Sequence, residues 1–335
     1  MIPEFCSNRV FYSAKLPEAC PIAYHSITKI LDKYGVPHEA LKATKDIWVR
    51  DFMPIQEYLG FLLRYNYMPD YLRTEARYRD LISDPVEVSE ANGIKACPNI
   101  SGIRMDGGNV VHGGMKVIMT SKVFEENPKM TVNRLSRLLE DHFSAELIIL
   151  PWDTNEIYGH ADGIVRFVDD ETVIMTNYHQ FDPKMAARFR NILKAHFKVV
   201  HELNYNVEHL SENSWAYINW LQTDRVLIIP AFGIPEDEQA LHQIKRWMPQ
   251  YRDCIEMADA SDLVREGGCL NCATWTIDTH QLQSQVSEKR LLKGYGHSRS
   301  NRSGCYQCWR ANDPFLLRSG SLSVCPERQT LLRLH

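Results

Sequence analysis

Apolar residues in this chain follow two periods, 3.6 and 2, and the switch from one to the other recurs along its length. The segment PIAYHSITKILDKYGV, at 21–36, has apolar positions near helical spacing and predicts an amphipathic helix. KDIWVRDFMPIQ follows it, and FLLRYNY, at 61–67, reads as a strand. The polar stretch 69–99 predicts helix and loop. GIRMDGGNVVHGGMKVIMTSK, at 102–122, combines glycine punctuation with β-branched residues and predicts a hairpin. VNRLSRLLEDHF predicts a second amphipathic helix, and ELIILP a buried strand.

The same succession then returns. YGHADGIVRFVDDETVIMTNY predicts a strand pair about an Asp-Asp-Glu turn, followed by a helix over 183–197 and the strand KVVHEL. SENSWAYINWLQTDRVLIIPAFG predicts another motif, turn and apolar strand, with DEQALHQIKRWMP as its helix. REGGCLNCATWTI opens a last unit. One polar landmark stands in each unit: Asp51, Asp106, His160, Asn219 and Cys272, separated by 55, 54, 59 and 53 residues. Near-constant spacing of this kind predicts five similar α/β units. If they close around an axis, the landmark loops converge on one central cavity.

Composition narrows the function. With 335 residues, 44% hydrophobic and 24% charged, the chain has globular composition. A net charge of -4 argues against nucleic-acid binding and is compatible with a small cationic ligand. No apolar leader and no long uncharged run is visible, so a soluble, cytoplasmic protein without membrane association is expected. Nine cysteines, irregularly placed, fit a reducing compartment better than a disulfide framework. After Asp278 the sequence becomes rich in Ser, Arg, Leu and Gln without periodicity. The expected division is a folded domain over 1–280 and a poorly ordered C-terminal extension over 281–335.

Cys269 and Cys272 form a C-x-x-C, but no second pair at zinc spacing occurs in the repeated part. The loop therefore reads as the presenter of one thiol, Cys272, with Cys269 a packing residue. A nucleophilic cysteine needs a group that favours the thiolate and another that binds the electrophile. His160 and Asp162 are two positions apart, which in a strand places them on one face. Asp51 and Asp106, each taken alone, fit a turn or cap. Together with Asp162 they surround a thiol and an imidazole with excess negative charge, which is costly to bury without a cation. A guanidinium, planar and five-donored, matches carboxylates bidentately.

Four motifs stand in order: W-x-R-D at 48–51, D-G-G-N at 106–109, G-H-x-D-G at 159–163, and G-G-x-x-x-C-x-T at 267–274. Over about 24–276 the chain resembles the guanidino-group-modifying enzymes, and within them the agmatine deiminase and bacterial-type peptidylarginine deiminase group. The resemblance implies a five-bladed, pseudo-fivefold α/β propeller of the pentein type with a central active-site cavity. By this resemblance Cys272 matches the nucleophile and His160 the acid/base, while Asp51 and Asp162 match the carboxylates that clamp the guanidinium. Asp106 stands where the family commonly has Glu, which assists the histidine or the substrate. Asn271 stands where many agmatine deiminases have His. Trp48, Arg50, Gly107, Gly108, Asn109 and Gly268 are expected to shape the substrate site.

The implied reaction converts a guanidinium to a ureido group through a covalent thiouronium on Cys272, with no metal or organic cofactor. Agmatine is the expected substrate, with peptidylarginine or another guanidino compound as the alternative. The partner is then a small molecule, and a homo-oligomer is compatible with the sequence. Three other readings compete. One is a zinc protein using His297, Cys305, Cys308 and Cys325; another is a guanidino-compound binder without turnover; the third is amidino transfer to an amine.

Overall fold

The computed structural model describes residues 1–282 except 58, 74, 75 and 100. Its strands are β1 (Arg9–Ser13), β2 (His38–Leu41), β3 (Ile55–Gln56), β4 (Leu62–Leu63), β5 (Val111–His112), β6 (Lys116–Thr120) and β7 (Glu146–Leu150). They continue with β8 (Val165–Phe167), β9 (Thr172–Met175), β10 (Val199–Glu202), β11 (Leu221–Gln222), β12 (Leu227–Ala231), β13 (Ile255–Asp259) and β14 (Thr274–Ile277). Three sheets repeat one topology: β5-β6-β7, β8-β9-β10 and β11-β12-β13. In each, the first two strands pair antiparallel, a helix follows, and the third strand joins the second in parallel.

The first unit carries a worn version of this plan. β3 pairs antiparallel with β4, and Cys97 then joins Leu63 by a single parallel bridge. The expected strand over 61–67 is accordingly short. The polar stretch after it supplies only the short helices Asp70–Arg73, Ala76–Arg79 and Pro85–Ala91. The fifth unit is assembled from both ends of the fold, in the order β14-β1-β2. β1 runs antiparallel to β14, from Arg9 opposite Ile277 to Tyr12 opposite Thr274, and parallel to β2. The helix Pro21–Lys33 lies between β1 and β2 in sequence, so this unit too is ββαβ, entered in the middle.

Strands buried on both faces explain the continuous apolar runs in the sequence. In β6, Val117 and Met119 pack toward the first unit while Ile118 packs toward the third. In β12, Leu227 and Ile229 face the third unit and Ile228 the fifth. In β1, Val10 and Tyr12 face the fourth unit and Phe11 the first. The core is thereby divided into five clusters, one at each junction between neighbouring units. The fifth junction sets Phe11, Trp275 and Ile277 against Val49, Phe52 and Leu62, which brings the last unit back onto the first.

The longer helices begin and end as their sequences dictate. Thr131 caps Val132–Phe143 through the Arg134 amide, and Ser144 closes it in the left-handed region. Asp182 accepts from the amides of Lys184 and Met185 at the start of Pro183–His196. The described chain runs on past Asp278 through the turn Thr279–Gln281, where Thr279 N–H donates to Asn8 Oδ1 at 3.0 Å. Apart from residues 281 and 282, the extension expected over 281–335 lies outside the described residues. The zinc candidates His297, Cys305, Cys308 and Cys325 lie outside them as well.

Trp275 fixes the closing junction. Its indole Nε1–H donates to Pro54 O at 2.7 Å, and its ring lies 4.9 Å from that of Phe11. Trp275→Ala should cost about 3–5 kcal/mol, read as a lower midpoint in urea unfolding.

Candidate active site

The five landmarks converge, four of them in or beside a short helical segment and Cys272 in a turn. Asp51 lies in the turn Val49–Phe52, Asp106 before Gly107–Asn109, His160 before Ala161–Gly163, and Asn219 after Glu212–Ile218. Cys272 sits in the turn leading into β14. The expectation that His160 and Asp162 share a strand face is corrected here. His160 is extended, but Asp162 lies within the helical turn, and β8 starts only at Val165. Glycines at 159 and 163 bracket the motif and favour a turn there over a pleat. Asp106 occupies an N-cap position, yet its side chain caps nothing. It turns to the imidazole instead.

The contacts form two sets. His160 Nε2–H donates to Asp106 Oδ2 at 3.2 Å, and His160 Nδ1 lies 3.6 Å from Asp51 Oδ1. Asp51 Oδ1 also accepts the Gly108 amide at 2.9 Å. In the other set, Cys272 Sγ–H donates to Asp162 Oδ2 at 3.5 Å, and Asn271 Nδ2–H donates to the same oxygen at 2.7 Å. Asn219 Oδ1 accepts the Cys272 amide at 3.2 Å. All three carboxylates are buried, and the His160 side chain is only 8% exposed.

Burial opposes charge on His160, but Asp51, the hydrogen bond to Asp106 and the nearby Asp162 outweigh it, so the imidazolium persists up to about 10. Asp51 is pushed up to about 7, first by burial, with His160 opposing and Asp106 and Asp162 adding to the rise. The Cys272 thiol is raised well above its usual value by burial and then by the Asp162 and Asp51 charges. At neutral pH the resting pair is therefore imidazolium and thiol. The Cys269 thiol, fully buried, is also pushed up by burial.

The other expected residues serve the frame. Arg50 Nε–H donates to Asn271 O at 3.3 Å, and its guanidinium also reaches Thr276 Oγ1 at 3.5 Å. Asn109 Oδ1 accepts the Thr120 amide at 2.8 Å. A Cβ on Gly107 would fall 2.0 Å from Arg50 O. On Gly108 it would fall 2.6 Å from His160 Nδ1 and 2.7 Å from Asp51 Oδ1, so only glycine admits that contact. Gly268 likewise leaves room for Trp48, whose ring would lie 2.6 Å from an added Cβ.

Several residues around the site carry no local sequence signal. Tyr158 and Tyr71 stand edge to face at 5.0 Å, with the His160 ring 6.1 and 6.3 Å from them. Buried Lys122 donates to Tyr158 O at 2.8 Å and Asp70 Oδ1 at 2.9 Å while lying over the Tyr71 ring. Trp215 approaches Gly163 on the far side of the His160 turn. Asn219 was visible as a landmark; its hold on the Cys272 amide was not. A cavity of about 20 Å³, lined by Arg50, Gly107, His112 and Thr276 among others, has room for a water molecule but is not lined by Cys272 or His160. Among the described residues, no group of three or more His, Cys, Asp and Glu is arranged to hold a metal ion. No helix of these residues is long and apolar enough to cross a membrane.

This fold recurs in solved structures. The C. jejuni agmatine deiminase is 18% identical, with 83% of this chain and 95% of that chain covered and a TM-score of 0.64. The agmatine deiminase of Enterococcus faecalis is 18% identical, with 82% and 94% covered and a TM-score of 0.62. A cysteine-to-serine variant of the C. jejuni enzyme with substrate bound matches at 18% identity, 83% and 96% coverage and a TM-score of 0.62. These similarities show a five-bladed α/β propeller of the pentein type. The chain belongs to the Porphyromonas-type peptidyl-arginine deiminase family, whose model matches residues 23–277. No curated protein matches it in sequence.

Two outcomes follow from the charges. The folded state holds the His160 proton up to about pH 10, whereas an unfolded histidine releases it near 6.5. That contribution to stability is complete below 6.5 and is lost as pH rises toward 10. His160→Gln should therefore flatten the alkaline fall in urea midpoint across this window. Asp162→Asn removes a negative charge beside the sulfur, so the pH midpoint for alkylation of Cys272 by iodoacetamide should move down.

Proposed function

We propose that this protein is an agmatine deiminase-like hydrolase, converting a guanidinium to a ureido group with release of ammonia. The observation that carries the reading is the buried charge balance. Three carboxylates face one imidazolium and a neutral thiol, an excess of anion that a guanidinium would offset. Asp51 and Asp162, from opposite contact sets, would hold it.

The chemistry follows from that placement. A guanidinium docked between Asp162 and Asp51 opposes the two charges that, after burial, keep Cys272 protonated. Binding thus favours the thiolate at the moment its electrophile arrives, fixed close to sulfur. Cys272 loses its thiol proton to solvent as the thiolate forms, its Sγ adds to the guanidinium carbon, and the imidazolium of His160 gives its proton to the departing ammonia. His160, now neutral, takes a proton from water as the water attacks the thiouronium carbon. The C–S bond breaks, leaving a ureido product and the free thiol. Asp106 holds Nε2 of His160 throughout, and proton transfer of this kind contributes ~10²–10⁴-fold.

Agmatine is the substrate this environment favours. The buried cations of the region, Arg50 and Lys122, are committed to carbonyls and carboxylates of the frame, so neither is spare for the α-carboxylate of arginine. Further carboxyl groups lie near: Asp46 is raised by burial and by Glu266, and Glu126 is raised to about 8 by burial and by Asp106. A second cation, agmatine's ammonium, would return these groups toward the ionised form.

Ureido-product assays on agmatine, arginine and an arginine peptide test the reading. Turnover should be highest on agmatine and fall by ~10⁴-fold or more in Cys272→Ala, whose circular dichroism should match wild type. Undiminished turnover in that variant would remove Cys272 from the mechanism.

A further inference from the structure

Behind the reactive side chains lies a charged group that the repeat does not predict. Glu4, in the turn Glu4–Cys6 that precedes β1, is buried with its carboxylate between two guanidiniums. One oxygen pairs with Arg166, and the other lies 4.0 Å from Arg50 Nη1. Both arginines are buried. Burial opposes ionisation of Glu4, but Arg166, Arg50 and then His112 overcome it and hold the carboxyl below its usual range.

Other donors of these arginines end on the backbone that carries the thiol. Arg50 Nε–H reaches Asn271 O, and the Arg50 amide donates to Cys272 O at 3.2 Å. Arg166 Nη1–H donates to Trp220 O at 3.2 Å, one residue beyond Asn219. Asn219 Oδ1 is the acceptor for the Cys272 amide. A buried ion triad gives little net stability over apolar packing of the same volume. Here it joins the first and third units to the turn that carries Cys272 and to the Asn219 turn that accepts its amide.

We infer that Glu4 is a positioning residue for Cys272, fixing the Asn271–Cys272 backbone through Arg50 and the Asn219 turn through Arg166. It also sets the charge behind the sulfur. Arg50 lies within electrostatic reach of Cys272 and Asp162, and Glu4 cancels one of the two positive charges there. With Glu4 neutral, two guanidiniums stand unopposed and the thiolate is favoured, while the turns lose their common anchor.

The inference rests on the deiminase reading only for its activity arm. Glu4→Gln keeps the size and removes the charge. Two readouts are taken: alkylation of Cys272 by iodoacetamide against pH, quantified on the Cys272 peptide by mass spectrometry, and kcat and KM for agmatine. In E4Q the alkylation midpoint should fall by about one pH unit. kcat should drop ~10-fold or more, with KM near wild type. A general loss of stability would not move the midpoint. Glu4→Asp retains the charge but is too short to span both arginines, so its midpoint should stay in place while kcat falls. Folded E4Q with an unchanged midpoint overturns the inference. Should E4Q fail to fold, E4D decides, and wild-type kcat in E4D overturns it. Wild-type protein inactive on every guanidino compound would defeat the deiminase reading, and the alkylation arm would still decide the role of Glu4.

Discussion

Because β14 pairs with β1 along Arg9–Tyr12 and Thr274–Ile277, the last unit of the ring is completed by the first strand of the chain, and hydrogen bonds hold the circle shut. Each unit alone presents apolar residues on both faces of its central strand and has no way to bury them without two neighbours. Closure supplies the missing neighbour at both ends at once. It also decides where the polar turns go, since five turns at the same end of five similar units, arranged in a circle, must point at one another. The reactive cluster is thus a consequence of the packing of Phe11, Trp275 and Phe52 as much as of its own side chains.

The cluster is itself a conflict held in place by that packing. Asp51, Asp106 and Asp162 are drawn together in a dry centre, where burial and then the charges of Asp106 and Asp162 raise the proton affinity of Asp51 against the opposing pull of His160. Hydrogen bonds from Gly108 and Asn271 to two of the three carboxylates keep them oriented without neutralising them. Such a centre is complementary to a planar cation rather than to anything neutral, and this complementarity is electrostatic before it is steric.

Much of this was legible from the sequence, for physical reasons. Strands buried on two faces leave unbroken runs such as KVIMT, TVIM and LIIP, and surface helices leave a 3.6-residue stripe, so the second, third and fourth units could be delimited closely. The first unit was blurred because its third strand is reduced to one bridge at Cys97. The fifth was hidden because its paired strands β1 and β14 are some 260 residues apart, and RVFYS and HEAL carry polar residues that break the apolar run. In the site, residues held by their own turn (Asp51, Asp106, His160, Cys272) kept a regular spacing. Residues that arrive by long-range packing, such as Tyr71, Lys122 and Glu4, have no local pattern to betray them.

The split fifth unit bears on how the protein is made. A ribosome delivers β1 first and β14 only after the other four units have emerged, so the earliest strand waits for the latest. Units two to four contain their own three strands and can begin to form during synthesis. The thiol, by contrast, is carried on the turn that enters β14. The carboxylates and the histidine therefore all leave the ribosome before the nucleophile does, and the reactive sulfur arrives with the strand that closes the ring.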